Sequence, residues 1–576
     1  MKTNIQAVRC GANKKLTLRP VAYAVLAALP MVAVMAASPA LAQSALNTAT
    51  GAVAPGIAAA ANGTPVVQIN APNQAGVSHN KFTDYNVGAQ GLILNNSTTA
   101  VQTQLGQQID GNVKLNGKTA GVILNEVIGS SATQLNGITE IAGATAQLIV
   151  ANPNGISADG AGFVNASRVT LTTGAPAFGS DGKVAGFDVR KGAIDISGDG
   201  LNASSTDKLE LFARSIELNA ALRAKEVLMV GGVGKVDAKS GIVVNDGSVA
   251  DEGEAPEVSI DVGELGSMYA NAIRMVGAEN GVGVSISGNV KATGALNVDS
   301  AGWITVDGGT LASGGKMGLI ASGEVGFEGG AAAKSGADMT VKAGSIAIDE
   351  SSLTAGGAIR LMAGAKAGIY GSTVQSAGDL TISADRKIAI GGGLLTSGRN
   401  ARLSAGDSLD VYYQGAVKAA GDLIVNAAGV DLESGVLNAL GAMQLTAERD
   451  VSIDDASTVK SGRDLTVTAA TLTNQGRLDA QGSFQFTGGM LTNTGGLIQV
   501  NKELRVIGNL NNRDTRNAER GLKADKVIVA GTTDNGNGLI VAKAKYGFTA
   551  LGAVNNDGGI IKERGAEVNH GYVAAP

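Results

Sequence analysis

Short runs of alternating apolar and polar residues recur along most of the chain. Leu380-Thr-Ile382 and Leu465-Thr-Val-Thr468 are examples. Such alternation is the period of a β-strand with one buried face. Gly, Asn, Asp and Ser, which tolerate turn conformations, break the runs, and beyond residue 42 no stretch carries a capped helical stripe. The pattern predicts an all-β protein of short strands and tight corners.

A glycine returns at intervals of 21, 21, 21, 21, 20, 23, 20, 21 and 20 residues through the second half of the chain. Such a period marks a stacked solenoid. A coil of ~21 residues has room for three strands of about five residues and three corners, which predicts a right-handed parallel β-helix. A β-sandwich with coincidental spacing and a Gly-rich disordered chain are alternatives, but nine near-regular intervals favour the solenoid. The glycines are Gly294, Gly315, Gly336, Gly357, Gly378, Gly398, Gly421, Gly441, Gly462 and Gly482.

Composition agrees with a narrow solenoid. Aromatic residues make up 3% of the 576 residues and charged residues 16%, below the ~25% charged residues of typical globular domains. A thin β-helical interior accommodates Ala, Val, Leu and Ile but few rings.

The first 42 residues are predicted to be a signal peptide. Five basic residues and no acidic one precede an apolar run at 21–37, and Ala40-Leu41-Ala42 fits a small-residue cleavage site. Cleavage between Ala42 and Gln43 follows. A transmembrane anchor is the alternative, but the run is short for a membrane span.

Cys10 lies in this leader, so the mature chain needs no disulfide in an oxidising compartment. Removal of the leader takes away five of the 45 Lys+Arg residues, which leaves 40 against 50 Asp+Glu. The mature chain therefore has a net charge of −10. This balance argues against a nucleic-acid-binding surface.

Residues 65–235 depart from the 21-residue rhythm and hold the distinctive motifs. They include Gly91-Leu-Ile-Leu-Asn-Asn-Ser97 and Gly121-Val-Ile-Leu-Asn-Glu-Val127, in which Asn95 and Asn125 each follow an Ile-Leu pair. We expect these two asparagines to stack as amide ladders at equivalent corners. Asn152-Pro-Asn-Gly155 is a tight-turn sequence, because Pro153 fixes one φ and Gly155 can take a positive φ.

Together with Gly162-Phe-Val-Asn-Ala-Ser-Arg168 and Val169-Thr-Leu-Thr-Thr-Gly174, these motifs resemble the secretion domain of filamentous haemagglutinin-type exoproteins of two-partner secretion systems. The resemblance implies a right-handed β-helix with an N-terminal cap, export by the Sec translocon, and an outer-membrane β-barrel transporter as partner. It implies a secretion motif made of Asn112, Leu115, Asn125, Asn152, Pro153, Asn154 and Gly155. For residues 152–155, recognition or folding nucleation during secretion and a plain structural turn both remain open.

Two departures from the family pattern stand out. The family's Asn-Pro-Asn-Leu motif reads Asn112-Val-Lys-Leu115 here, without proline, and a Cys-x-x-Cys pair is replaced by Ala158-Asp-Gly-Ala161. Because both cysteines are absent together, the chain lacks this local disulfide and has no unpaired cysteine in its place.

The sequence shows no constellation typical of catalysis. The histidines, His79 and His570, are far apart, and no zinc-ligand cluster is present. Polysaccharide-degrading β-helices gather Asp, Lys and Arg on one face, but Asp379, Asp422 and Asp464 recur near the repeated glycine. A catalytic site occurs once, whereas these aspartates repeat, so they are interpreted as corner residues. We therefore expect that the protein is not an enzyme and binds no cofactor or metal.

The acidic stretch Asp251-Glu-Gly-Glu-Ala-Pro-Glu257 is interpreted as a solvated loop, with a cation site as the alternative.

The sequence thus divides into a signal peptide (1–42), a two-partner secretion domain (43–275), a β-helical shaft of ~21-residue repeats (276–509) and a C-terminal segment (510–576), either a cap or a truncated shaft. The expected function is that of a secreted or cell-surface adhesin, reaching the surface through the periplasm. Its shaft would bind host cell-surface glycans or proteins. A haemolysin-type role, a truncated contact-dependent inhibition exoprotein and, less favoured, a polysaccharide-degrading enzyme are the alternatives.

Overall fold

The computed structural model describes residues 45–51, 54–245, 247–517 and 519–568. In these residues the only helical element is a 3-10 turn at Val113–Leu115. The strands, in chain order, are Leu46–Thr48, Gly56–Ala59, Pro65–Gln68, Val77–Tyr85, Leu92–Asn96, Val101–Thr103, Gln107–Ile109, Val122–Val127, Thr133–Leu135, Ile138–Gly143, Ala146–Ala151, Ile156–Ala158, Ala161–Val164, Ala166–Thr172, Ala175–Phe178, Val184–Val189, Ala193–Ile196, Leu201–Ala203, Lys208–Ala213, Ser215–Leu218, Ala221–Ala224, Glu226–Gly231, Gly234–Asp237, Val243–Val244, Val258–Val262, Ser267–Ala270, Ala272–Gly277, Gly283–Ile286, Asn289–Ala292, Leu296–Ser300, Ile304–Asp307, Thr310–Ser313, Met317–Ala321, Glu324–Glu328, Ala332–Ser335, Met339–Ala343, Ser345–Asp349, Ser352–Ala355, Ile359–Ala363, Lys366–Tyr370, Thr373–Ser376, Leu380–Ala384, Lys387–Gly391, Leu394–Ser397, Ala401–Ala405, Ser408–Tyr412, Ala416–Ala419, Leu423–Ala427, Gly429–Glu433, Val436–Ala439, Met443–Ala447, Asp450–Ile453, Thr458–Ser461, Leu465–Thr468, Thr471–Asn474, Arg477–Ala480, Phe484–Thr492, Leu497–Val500, Glu503–Asn511, Gly521–Ala524, Lys526–Val529, Thr533–Asp534, Leu539–Ala542, Phe548–Ala550, Val554–Asn555, Ile560–Glu563 and Ala566–Glu567.

The strands stack as coils of a parallel β-helix with about 21 turns. A representative coil has three strands, Leu380–Ala384, Lys387–Gly391 and Leu394–Ser397, and each pairs in parallel with its equivalent in the next coil. The first two strands of each coil join a 38-stranded sheet and the third joins a 23-stranded sheet. Inward positions alternate with outward ones, as at Leu380 and Ile382, which are buried. The predicted β-helix with three short strands per coil is therefore confirmed.

The recurring glycines occupy two neighbouring positions of one corner. Gly378 donates its N–H to Gly357 O at 2.9 Å, and Gly421 donates to Arg399 O at 2.6 Å. Gly398 lies one residue before Arg399, which explains why the spacing shortens to 20 and then lengthens to 23. A Cβ on Gly378 would lie 3.0 Å from the carbonyl carbon of Gly357, so glycine relieves crowding between successive coils.

Aspartates after this corner join coils to one another. The carboxylates of Asp379, Asp422 and Asp464 each accept a backbone N–H from the following coil, at 3.1, 2.8 and 2.8 Å. Carboxylates that accept backbone N–H groups satisfy donors that would otherwise lack a partner at the corner. The prediction of a corner role for these aspartates is confirmed.

At a second corner of the coil, one residue per coil has a left-handed backbone conformation, and these residues are 21 positions apart. The set is Gly308, Gly329, Glu350, Gly371, Gly392, Tyr413 and Ser434, with φ between 46° and 65°. An L-residue in this conformation costs roughly 1–2 kcal/mol relative to glycine. Tyr413 is the bulkiest residue in the set, and its side chain is 78% exposed.

The start of the described chain caps the stack with antiparallel pairs. Leu46–Thr48 pairs antiparallel with Val77–Tyr85, and Gly56–Ala59 pairs antiparallel with Pro65–Gln68. The parallel stack begins where Val77–Tyr85 meets Val122–Val127. These pairs form the N-terminal cap that the family resemblance implies.

A four-stranded antiparallel sheet lies outside the coils, formed by Ala175–Phe178, Val184–Val189, Gly234–Asp237 and Val243–Val244. Its inner face buries Phe187 against Phe212 of the stack, with ring centroids 5.9 Å apart. This side sheet and the separate hairpin of Val101–Thr103 with Gln107–Ile109 are segments that leave the coil and return, and they interrupt the 21-residue rhythm within residues 65–235.

The coils run without interruption through the predicted boundary at 275/276 and on to Ile560–Glu563, which pairs in parallel with Leu539–Ala542. Residues 510–563 are thus a continuation of the stack, and the short strand Ala566–Glu567 then folds back antiparallel. Among the helices of the described chain, none is long and apolar enough to cross a membrane.

An asparagine ladder runs inside these last coils. Each amide nitrogen donates to the amide oxygen of the next asparagine, at 2.7, 2.8, 2.7 and 2.6 Å, and the first four side chains are buried. The rungs are Asn474, Asn493, Asn512, Asn535 and Asn556.

Candidate secretion site

The turn at residues 152–155 is held by its own first side chain. Asn152 Oδ1 accepts the N–H of Asn154 at 3.0 Å, and Asn152 O accepts the N–H of Gly155 at 3.1 Å. Gly155 has φ +114°, which the sequence had predicted to be positive. A Cβ there would lie 3.2 Å from Ala193 O, so both the backbone conformation and the next coil favour glycine.

The same turn is locked to the coil before it. The buried Asn152 Nδ2 donates to Ser131 O at 2.9 Å and to Thr133 Oγ1 at 3.0 Å. Asn154 Nδ2 donates to Gly129 O at 2.8 Å. The buried amide of Asn152 must find partners, and an apolar residue at either position would remove a side-chain donor from the carbonyl groups of the preceding coil.

Residues 112–115 make the same kind of turn without the proline. Asn112 Oδ1 accepts the N–H of Lys114 at 3.0 Å, and Leu115 donates its N–H to Asn112 O at 3.2 Å. Asn112 Nδ2 bridges to Ile69 O at 2.8 Å and to Asn95 O at 3.0 Å, and Leu115 is fully buried. The same asparagine hydrogen bond closes both turns, at Asn112 without a proline and at Asn152 with Pro153 after it.

Asn125 does not form the predicted ladder with Asn95. Asn95 lies in the 23-stranded sheet opposite Gln68, whereas Asn125 lies in the 38-stranded sheet opposite Asn80. Asn125 Oδ1 accepts Asn80 Nδ2 at 3.2 Å inside the core. The prediction was wrong because similar Ile-Leu-Asn sequences occupy different strands of the coil cross-section.

The structure gathers the secretion-motif residues in the first coils but not at one point. Residues 112–115, Asn125 and residues 152–155 stand on successive coils, and the two turns and Asn125 contact different neighbours. Ala42 and Gln43, the predicted cleavage residues, lie outside the described residues, as does His570.

Ala158 and Ala161, the positions at which the family resemblance places a cysteine pair, are both buried. Between them the chain turns at Asp159, whose Oδ1 accepts the N–H of Asp199 at 2.7 Å. The cross-coil hydrogen bond supplies a connection at this corner that needs no disulfide.

Ion pairs that were not predicted from the sequence connect neighbouring strands of the secretion region. Burial opposes ionisation of Glu126, but its hydrogen bond to His79 and the charge of Lys81 hold its pKa below the ordinary value of 4.5. Glu210, almost fully buried, accepts Arg168 Nε at 2.8 Å. Arg168 also donates to Ala238 O at 2.7 Å and so anchors the side sheet.

Arg214 plays a similar part for the acidic loop. It is buried, pairs with Glu279 at 3.0 Å, and donates to Glu252 O at 2.9 Å and Gly253 O at 3.1 Å. The side chains of Asp251 and Glu254 are exposed, as the solvated-loop interpretation expects. Within the described ranges no three His, Cys, Asp or Glu side chains are grouped to hold a metal ion.

Residues 40–306 match the TPS secretion domain family. Over 250 residues the chain is 48% identical to a protein named tRNA nuclease CdiA from Yersinia mollaretii, and over 261 residues it is 49% identical to 16S rRNA endonuclease CdiA from Enterobacter cloacae. These matches cover 43% and 44% of this chain and 8% of each relative. Among solved structures, the filamentous hemagglutinin secretion domain is 31% identical, with 53% of this chain and 96% of that one covered and a TM-score of 0.44.

Proposed function

The chain is an exoprotein of the two-partner secretion type, and from that premise we propose that a dedicated outer-membrane β-barrel transporter carries it from the periplasm to the cell surface. The observation that supports the proposal most is the secretion-domain match at residues 40–306. The leader at 1–42 would first deliver the chain to the periplasm through the Sec translocon.

We assign residues 152–155 a role in that transport. A turn closed by Asn152 and tied to the preceding coil through Asn154 forms from contacts close in sequence, mostly within about 25 residues. Local contacts form before distant ones, so this turn is suited to organise the first coils as the chain emerges.

The variant Asn154→Ala tests this role. It removes the hydrogen bond to Gly129 O and should reduce the amount of intact protein released into the medium. Asn400→Ala is the matched control, because Asn400 Oδ1 also bonds across coils, to the N–H of Asp422 at 2.9 Å, but outside residues 40–306. Equal release of the two variants would count against the assignment.

At the surface, we propose that the chain acts as an adhesin. The shaft repeats one cross-section many times, so weak contacts to a host surface add up through avidity. The measurement is binding of purified mature chain to host cells. Binding should fall steeply when the shaft is shortened by whole coils, and length-independent binding would refute an avidity mechanism.

A role in contact-dependent inhibition is the second candidate. The names of the relatives, tRNA nuclease CdiA and 16S rRNA endonuclease CdiA, favour it. Co-culture of producing cells with otherwise identical non-producing cells separates the two roles, since only this candidate predicts loss of the non-producers. Erythrocyte lysis tests the haemolysin-type alternative in the same preparation.

A further inference from the structure

Three of the chain's eight tyrosines meet on one face of the shaft. Tyr370 and Tyr412 are two coils apart and lie over Gly391 of the coil between them. A Cβ on Gly391 would be 2.8 Å from Tyr412 Cε2 and 3.2 Å from Tyr370 Cδ1, so glycine leaves the space in which both rings lie. Tyr413 packs edge-on against Tyr412, with centroids 5.2 Å apart.

Acidic side chains border these rings. Asp410 and Asp431 are register neighbours on adjacent strands, and Lys387 forms an ion pair with Asp410. Together with Glu433 and the rings of Tyr412 and Tyr413, these groups line a groove of about 270 Å³. Three carboxylates therefore face one ammonium.

Tyr413 combines an exposed side chain with a left-handed backbone. The residue is 78% exposed, and its backbone has φ +52° at a corner where four of the seven equivalent residues are glycine. A strained backbone that carries an exposed aromatic ring is the kind of feature found at binding sites. Tyr413 also lines the groove, so a ligand bound there would contact its ring.

We propose that this groove binds one neutral hexopyranose ring of a glycan. The C–H face of a sugar is apolar and lies well on an exposed aromatic ring, and its hydroxyl groups are donors for ionised carboxylates, which only accept. The volume is just below the ~300–1,000 Å³ of drug-sized ligand pockets, which suits a single ring. The excess of carboxylates disfavours anionic sugars.

Tyr412 is fixed in place beside the groove by its hydroxyl group. Burial and the neighbouring Tyr370 raise the pKa of Tyr412 to about 12. Its hydroxyl keeps its proton and hydrogen-bonds to Tyr370, which holds the two rings together over Gly391. The proposal deepens the adhesin function and rests on it for its biological meaning, but binding itself can be measured independently.

The test uses purified mature chain in isothermal titration with methyl β-galactoside, methyl α-mannoside and N-acetylglucosamine. N-acetylneuraminic acid serves as the anionic probe and choline as the cationic one. We expect at least one neutral sugar to bind and the anionic sugar not to bind. Binding of choline alone, or of no neutral sugar, would overturn the proposal.

Two variants localise the binding. Tyr413→Ala should weaken it about tenfold, the loss of one stacking contact. Tyr546→Ala is the matched control: Tyr546 is also 76% exposed with φ +56°, but it lies on a distant coil. Equal losses in the two variants would refute the site.

The outcome separates this site from the adhesin proposal. If no sugar binds while host-cell binding persists, the groove is not the glycan site and the adhesin function stands. If a sugar binds through Tyr413 but host cells are not bound, the groove stands and the adhesin function fails.

Discussion

Replacing Asn512 by alanine would interrupt the asparagine ladder at its centre. Asn512 Oδ1 accepts Asn493 Nδ2 at 2.8 Å, and Asn512 Nδ2 donates to Asn535 Oδ1 at 2.7 Å and to Leu539 O at 3.1 Å. Three hydrogen bonds at about 1 kcal/mol each, with a further ~1–2 kcal/mol for the buried amide oxygen of Asn535 left without its donor, give a loss of about 4–5 kcal/mol.

The loss should be local, because each coil of a solenoid contacts mainly its neighbours. Native-state hydrogen exchange is therefore the appropriate assay. Where exchange proceeds through opening of these coils, amides in Leu539–Ala542 should exchange about 10³ times faster or more in Asn512→Ala. Those in Leu380–Ala384, several coils away, should keep their wild-type rates.

Asn297→Ala is the matched control, because Asn297 is exposed on its strand and surface substitutions usually change stability by less than about 0.5 kcal/mol. If Asn512→Ala exchanges no faster than Asn297→Ala in Leu539–Ala542, the ladder does not stabilise the terminal coils and the reasoning is wrong.

Three further predictions concern the secretion region. Gly155→Ala should destabilise the first coils by about 1–3 kcal/mol, because φ +114° is strained for alanine; denaturant unfolding measures it. Arg214→Ala should release residues 247–257 from the stack and speed their cleavage by protease, while Lys239→Ala, an exposed change, should not. The lowered pKa of Glu126 contributes stability that is present above its ordinary value of 4.5 and is lost as the pH falls through its folded-state pKa. Glu126→Gln should therefore lower the melting temperature at pH 7, by an amount that shrinks as the pH falls through the folded-state pKa, and a loss that is the same at every pH would contradict the role given to His79 and Lys81.

The coil architecture could be predicted from sequence because its determinants are local and repeated. A corner such as Gly378-Asp379 recurs in coil after coil, so spacing alone indicates its place in the cross-section. The irregular elements could not be predicted in this way. The side sheet depends on burial of Phe187 against Phe212, a contact that no periodicity encodes.

The candidate site shows the same division. Positive φ at Gly155 follows from the turn sequence, whereas the equivalence of Asn112-Val-Lys-Leu115 to a proline-containing turn rests on side-chain hydrogen bonds that only the structure shows. Asn95 and Asn125 were misplaced because identical local sequences can occupy either sheet. The Asn474–Asn493 contact could have been anticipated, since Thr-Leu-Thr-Asn474 and Met-Leu-Thr-Asn493 are similar and 19 residues apart.

Release of the full chain in a Gram-negative host, with and without the candidate outer-membrane transporter, tests the central claim most directly. The account predicts intact protein in the medium only when the transporter is present, and a periplasmic product otherwise. Equal release in both strains, or retention in the periplasm in both, would contradict two-partner secretion of this chain.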